Sequence, residues 1–260
     1  MKYAEQTIWI TGASSGIGAA LAVAFAAEGA KLVLSGRNEA ALAEVAGQCP
    51  GARTIAFDTT DLAALPGIVA DAGPVDILVN NAGISQRSLA LDTDFEVYRR
   101  IMEVDFFAPL RLTQLVLPAM VAAKAGRIVM IASIAGKSGS PMRTGYCAAK
   151  HAMIGYADAL RAEIAQYGVA VHVVTPGFVR TGIAVHALEG DGAERGHSDA
   201  AIEAGVSPES AAATILAGMA AGTREILVGD GPEMMLGKLR GSDPDRLFDM
   251  MASMAPVVER

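Results

Sequence analysis

Seven short apolar runs punctuate this chain, most of them separated by enough residues for a helix: "TIWIT", "KLVLS", "RTIAF", "DILVN", "RIVMIAS", "VAVHVVT" and "EILVG". They are rich in Val and Ile and mostly lack polar alternation, so each reads as a strand buried on both faces. Between them lie Ala/Leu-rich segments of helical length, among them 17–28, 95–123 and 146–167, with Gly29 and Gly168 where C-caps belong. Strand, helix, strand, repeated with right-handed crossovers, gives an α/β chain. The expected architecture is a Rossmann-type doubly wound parallel sheet of about seven strands with helices on both faces. No linker or repeat divides the 260 residues, which predicts a single domain over 1–260. Two stretches break the rhythm. Residues 182–207 hold five glycines and scattered charges and predict a mobile substrate lid. Residues 232–260 form a Met-rich tail, expected to cover the sheet edge or to contact another subunit.

Composition narrows the function. A net charge of −7 argues against nucleic acid as a partner, because phosphate backbones need a basic face. Two cysteines, Cys49 and Cys147, show no metal-ligand spacing to each other or to the four histidines. No metal site is expected, and a reduced, cytoplasmic protein is the simplest reading. Residues 7–27 carry no charge and could pass for a membrane segment. Gly12, Ser14, Ser15, Gly16 and Gly18 interrupt them, so two elements around a glycine turn are expected, with no targeting segment and no membrane span.

That turn carries chemistry. "TIWITGASSGIGAALAVAF" reads as strand, glycine turn and helix. The spacing Gly12, Gly16, Gly18 differs from G-x-G-x-x-G, but the physics is shared: glycines let backbone N–H groups at a helix N-terminus approach a pyrophosphate. Further on, "YCAAK" sets Tyr146 and Lys150 four residues apart, one above the other on a helix face.

The order of motifs resembles the short-chain dehydrogenase/reductase family. T-G-x-x-x-G-x-G follows the first strand. Then come "NNAG" at Asn80–Gly83, Ser133, Tyr146-x-x-x-Lys150 thirteen residues after that serine, and "PG" at Pro176–Gly177. The stretch "ASIAGKSGSPMRTGYCAAKHA" is also similar to the branch of dehydrogenase/reductase member seven proteins. The resemblance implies a nicotinamide dinucleotide held by Gly12, Ser14, Ser15, Gly16, Ile17 and Gly18. Asp58 and Thr59 would meet the adenine. Asn80, Ala82 and Gly83 would line the ribose with Tyr146 and Lys150, and Pro176, Gly177, Val179 and Thr181 would hold the carboxamide. The second strand ends "LSGRN", with Gly36 where an NAD-specific fold usually carries an acid, and Arg37 next to it. Arginine suits a 2′-phosphate, so NADP(H) is expected over NAD(H), with Glu39 as a rival placed inside the next helix.

Catalysis is expected from Ser133, Tyr146, Lys150 and Asp105. A tyrosine with a free pKa of about 10 must drop by roughly 3 units to move protons near pH 7. That is about 4 kcal/mol, the Coulomb energy of unit charges about 4 Å apart at an effective dielectric of about 20. Lys150 can supply it, while Ser133 would polarise a carbonyl. The family's fourth catalytic position is an Asn in a "VN" pair, and here "EVDFF" puts Asp105 there. Either its backbone carbonyl serves a water relay towards Lys150, or its carboxylate opposes negative charge on Tyr146. Cys147 and His151 read as packing and helix-surface residues, and His186 and His197 as lid residues that could touch substrate. The expected function is hydride transfer between NADP(H) and a lipophilic carbonyl or secondary alcohol, a ketone, steroid-like or acyl substrate. The alternatives are a 3-oxoacyl thioester reductase and a non-catalytic NADP(H)-binding sensor. Family members commonly pair through the two long helices, which implies a homodimer or homotetramer.

Overall fold

The computed structural model describes residues 1–256, so the last four residues of the 232–260 tail lie outside the described part. Seven parallel strands form one sheet: β1 (Thr7–Thr11), β2 (Lys31–Gly36), β3 (Arg53–Ala56), β4 (Ile77–Asn80), β5 (Gly126–Ile131), β6 (Val169–Pro176) and β7 (Glu225–Val228). Their order is β3-β2-β1-β4-β5-β6-β7, all neighbours parallel. Each expected run became a strand. The order reverses between β1 and β4, which opens a crevice beyond the carboxyl ends of those strands.

Alternation along β1 shows how the two faces are filled. Ile8 and Ile10 pack with Leu21 and Phe25 of α1 (Gly16–Ala27), Leu42 and Val45 of α2 (Glu39–Ala46) and Ile215 of α8 (Pro208–Ala220). Trp9 points the other way, into a core with Ala72 of α3 (Leu65–Ala72), Leu112, Val116 and Met120 of α5 (Ala108–Ala123), and Met153 and Leu160 of α6 (Thr144–Ile164). Both faces are covered, so a continuous apolar strand is the stable solution. Gly29 follows α1, and Gly168 follows the 3-10 turn Ala165–Tyr167 that continues α6.

The helix expected over 95–123 is not uniform. It runs as α4 (Phe95–Met102), a π-helical turn Glu103–Phe107, then α5. Pro109 explains the break: it has no N–H for the carbonyl of Asp105 four residues earlier, so regular α bonding fails there. Among the described residues, this stretch is the one helix long and apolar enough to cross a membrane. Its Leu112, Val116 and Met120 are buried against the sheet.

The expected mobile lid is folded down. Leu188 bridges Gln86, Val206 bridges Val179, and the short helix α7 (Ala200–Glu203) buries Ile202. After β7 the chain makes a 3-10 turn, Pro232–Met235, then α9 (Leu236–Ser242) and α10 (Pro244–Ser253). Glu233 is buried there, and its carboxylate accepts the N–H of Phe178 at 3.0 Å, tying the tail to the loop after β6.

Candidate active site

A cleft of about 590 Å³ opens at the carboxyl ends of β1, β2, β4, β5 and β6. Its wall includes Gly12, Ser14, Ser15, Gly16 and Ile17 from the first turn, Arg37 after β2, and Asp58 and Thr59 after β3. Ala82 and Gly83 follow β4, and Ser133, Tyr146, Lys150, Pro176, Gly177, Val179 and Thr181 complete the set. Parallel strands bring together residues up to 169 positions apart because every strand ends at this edge.

Three expected site residues stand behind the wall. Gly18 is needed for packing: a Cβ there would lie 2.3 Å from the carbonyl oxygen of Gly12. Asn80 ends β4 with its side chain buried, and its amide donates to the hydroxyl of Thr113 at 3.0 Å. Its neighbour Asn81 faces the cleft instead, donating to the carbonyls of Thr11 at 2.9 Å and Gly12 at 3.1 Å, which fixes the glycine turn. The alternation of a strand end decides which of two adjacent asparagines reaches the site. Asp105 is the third, wholly buried behind Gly83 and Lys150.

The first turn fits a dinucleotide's pyrophosphate. The Ser15 side chain makes no capping bond, and the first turn of α1 carries no acidic residue, so its N–H groups are left for an anion. Across the cleft, Arg37 stands exposed, with its guanidinium 4.0 Å from Asp58. Burial works against the charge of Asp58, but the N–H and hydroxyl of Thr60, then Arg37, outweigh it and hold the carboxyl below its usual range. Glu39 starts α2, where Asn38 caps the helix by accepting the N–H of Ala41.

At the other end, Ser133 accepts the N–H of Ala135 at 3.1 Å and donates to the Pro176 carbonyl across 3.5 Å. The ammonium of Lys150 lies 5.6 Å from the Tyr146 ring centre and donates to the Ile131 carbonyl at 3.2 Å. Its counter-ion is Asp105, with Oδ2 3.2 Å away. The other oxygen, Oδ1, accepts the N–H of Ile84 at 2.8 Å. The sequence left Asp105 either a backbone relay towards Lys150 or a carboxylate opposed to Tyr146. The structure spends it on Lys150. Burial pushes the Asp105 carboxyl up, against the pull of Lys150 and the Ile84 N–H. Burial also opposes the Lys150 charge, but Asp105 and then Tyr146 outweigh it and raise Lys150. The ion-paired state prevails, because the charged carboxylate 3.2 Å away offsets the burial of the ammonium, which a protonated acid cannot do.

His186 lines the cleft and pairs with Glu194 at 2.8 Å; His197 is exposed and outside the cleft. Cys147 is buried, and His151 turns back to the Cys147 carbonyl at 2.8 Å. Arg87 and Arg143 also line the cleft, and sequence reasoning missed both. Arg143 had a usable signal: it precedes Tyr146 by three residues and forms the N-cap of α6, which places it at the same end of that helix.

A cleft of this kind, at the switch point of a parallel sheet, is what a Rossmann-type nucleotide-binding oxidoreductase presents. The family model described as short chain dehydrogenase matches residues 6–191, and the chain belongs to the short-chain dehydrogenase/reductase family. It is 39% identical to dehydrogenase/reductase SDR family member 7B of Bos taurus, over 95% of this chain and 80% of that one. A variant of an actinorhodin polyketide ketoreductase, solved with NADPH, superposes with a TM-score of 0.67 at 33% identity, over 70% of this chain and 73% of that one. A Burkholderia phymatum short chain dehydrogenase/reductase, solved in complex with NAD, shares the fold with a TM-score of 0.82 at 23% identity, over 100% of this chain and 99% of that one.

Proposed function

We propose that this protein is an NADP(H)-dependent oxidoreductase moving a hydride between the nicotinamide and a lipophilic carbonyl or secondary alcohol. The observation that carries the reading is the convergence of Ser133, Tyr146 and Lys150 on the cleft that also holds the uncapped α1 turn. The cofactor, when bound, supplies or accepts the hydride. Ser133 turns its hydroxyl proton from the distant Pro176 carbonyl to the substrate oxygen, while the Ala135 N–H holds its lone pair. Tyr146 gives its phenolic proton to that oxygen as the carbonyl carbon gains hydride, and the Lys150 ammonium stabilises the phenolate left behind. In the oxidation direction the phenolate takes the alcohol proton. A sensor without catalysis would have no use for this arrangement.

The preference for NADP(H) rests on Arg37, exposed beside Gly36 where a 2′-phosphate would arrive, with Asp58 at the edge of ion-pair range. NADPH is expected to bind at least tenfold tighter than NADH, a difference of about 1.4 kcal/mol. Arg37→Ala should erase most of the gap. Titration of both cofactors into both proteins tests this, and equal wild-type dissociation constants refute it. A screen of NADPH consumption over ketones, aldehydes and oxoacyl thioesters tests the activity itself.

The single-domain reading is supported by one sheet extending from Thr7 to Val228. A cytoplasmic setting is supported by two free, buried cysteines. A homodimer or homotetramer through α4, α5 and α6 is supported by Phe95 on α4 and Phe107 in the π-helical turn, large apolar side chains that are exposed.

A further inference from the structure

The cleft wall around Tyr146 carries more positive charge than proton transfer uses. Arg37, Arg87, Arg100, Arg143 and Lys150 line it, against Asp58 and Glu194 in the wall and Asp105 and Asp199 behind it, in a chain whose net charge is −7. Part of that surplus belongs to the cofactor end. The rest gathers at the start of α6, where three guanidiniums share one carboxylate. Arg87 is buried and donates to Asp199 at 2.7 and 2.9 Å, to the Ser85 hydroxyl at 3.0 Å and to the Gln86 carbonyl at 2.7 Å. Arg195 donates to the other oxygen of Asp199 at 2.5 Å. Arg143 comes third, 3.7 Å from the same carboxylate, and among the described residues its guanidinium makes no hydrogen bond.

Arg87 and Arg195 fill three of the roughly four acceptor positions of Asp199, while Arg143 makes no hydrogen bond to it though its side chain is only 22% exposed. Burial and the neighbouring Arg87 both push the Arg143 pKa down, and Tyr146 and Asp199 do not make up the difference. A guanidinium stays protonated in proteins, so the local charge is incompletely balanced. A partly desolvated cation with unused donors in a cleft is stabilised by an incoming anion. The same cleft wall also carries an apolar set, Ile84, Ile183, Leu188 and Ile202.

We propose that this end of the cleft is an anion subsite. In it Arg143, steadied by Asp199 and backed by Arg87, receives a carboxylate or phosphate that the substrate carries away from its reacting carbonyl. The substrate is then an amphiphile: an apolar body against the isoleucines, an oxygen at Ser133 and Tyr146, and an anionic end at Arg143. The assignment of that end to substrate rests on the oxidoreductase reading above, since Arg143 sits at the N-cap of the helix that carries Tyr146 and lines the same cleft, while the pyrophosphate turn belongs to α1.

The test uses calorimetric titration of the NADPH-saturated protein with octyl phosphate, octanoate and octanol, which share a chain and differ in the head. At least one anion should bind at least tenfold tighter than octanol, and the stronger of the two identifies a phosphate ester or an acid as the substrate class. Arg143→Ala should remove most of that preference, and Arg143→Lys should keep part of it because the charge remains. Octanol binding as tightly as both anions, no binding by any of the three, or an unchanged preference in Arg143→Ala would overturn the proposal. A parallel assay of NADPH consumption over a ketone panel separates the two readings. Anion preference without turnover of any ketone sinks the oxidoreductase reading and leaves the subsite standing; turnover without anion preference does the reverse.

Discussion

Tyr146→Phe lowers turnover at least 100-fold and leaves NADPH affinity nearly unchanged. The substitution removes one hydroxyl and keeps the ring, whose position in the buried start of α6 is set by packing with Ala135 and Cys147. General acid–base groups contribute about 10²- to 10⁴-fold. Among the described residues Tyr146 is the one tyrosine in the cleft wall, whose carboxylic acids, Asp58 and Glu194, come from the loop after β3 and from the 182–207 segment. Steady-state rates with any substrate from the ketone screen, together with a cofactor titration, check both halves. Turnover above about a tenth of wild type shows that the proton comes from elsewhere. Lys150→Ala costs turnover and cofactor affinity together, and it also leaves Asp105 buried without its cation.

The second large effect concerns that pair. Asp105→Ala removes the counter-charge of a buried ammonium and the acceptor of the Ile84 N–H in one step. Breaking a buried ion pair from one side costs about 3–5 kcal/mol, and equilibrium denaturation should show a loss of that order. Asp105→Asn is the informative contrast, because its amide oxygen can still accept the Ile84 N–H. Lys150 is raised because Asp105 outweighs its burial. Without the carboxylate, Tyr146 alone is left to oppose the effect of burial, so Lys150 loses its proton at lower pH. The alkaline limb of the pH–rate profile therefore moves downward in Asp105→Asn, with activity retained at neutral pH. A profile that overlays the wild type shows that the carboxylate does not hold the charge on Lys150.

The strands were legible because uninterrupted Val/Ile runs have few other stable placements, and the glycine turn because its neighbours on both sides were periodic. The line from "NNAG" through Ser133 to Tyr146 and Lys150 was legible as an order of motifs. What stayed hidden was pairing across the chain. Nothing in "EVDFF" announces Lys150, 45 positions on, and nothing near Arg87 announces Asp199, 112 positions on. Those contacts exist because β4, β5 and the folded-down segment 182–207 meet at one edge of the sheet. Asn80 and Asn81 could not be told apart for a related reason: the pleat at a strand end assigns the faces, and the residue types are identical.

The π-helical turn at Glu103–Phe107 makes chain length part of the site's specification. A regular helix advances about 100° per residue, so dropping one residue from the wide turn would swing α5 by about that angle relative to α4. Leu112, Val116 and Met120 would leave the sheet while α4 kept its seat on α6. Substitutions along this stretch act one side chain at a time; a single deletion would re-index a whole helix.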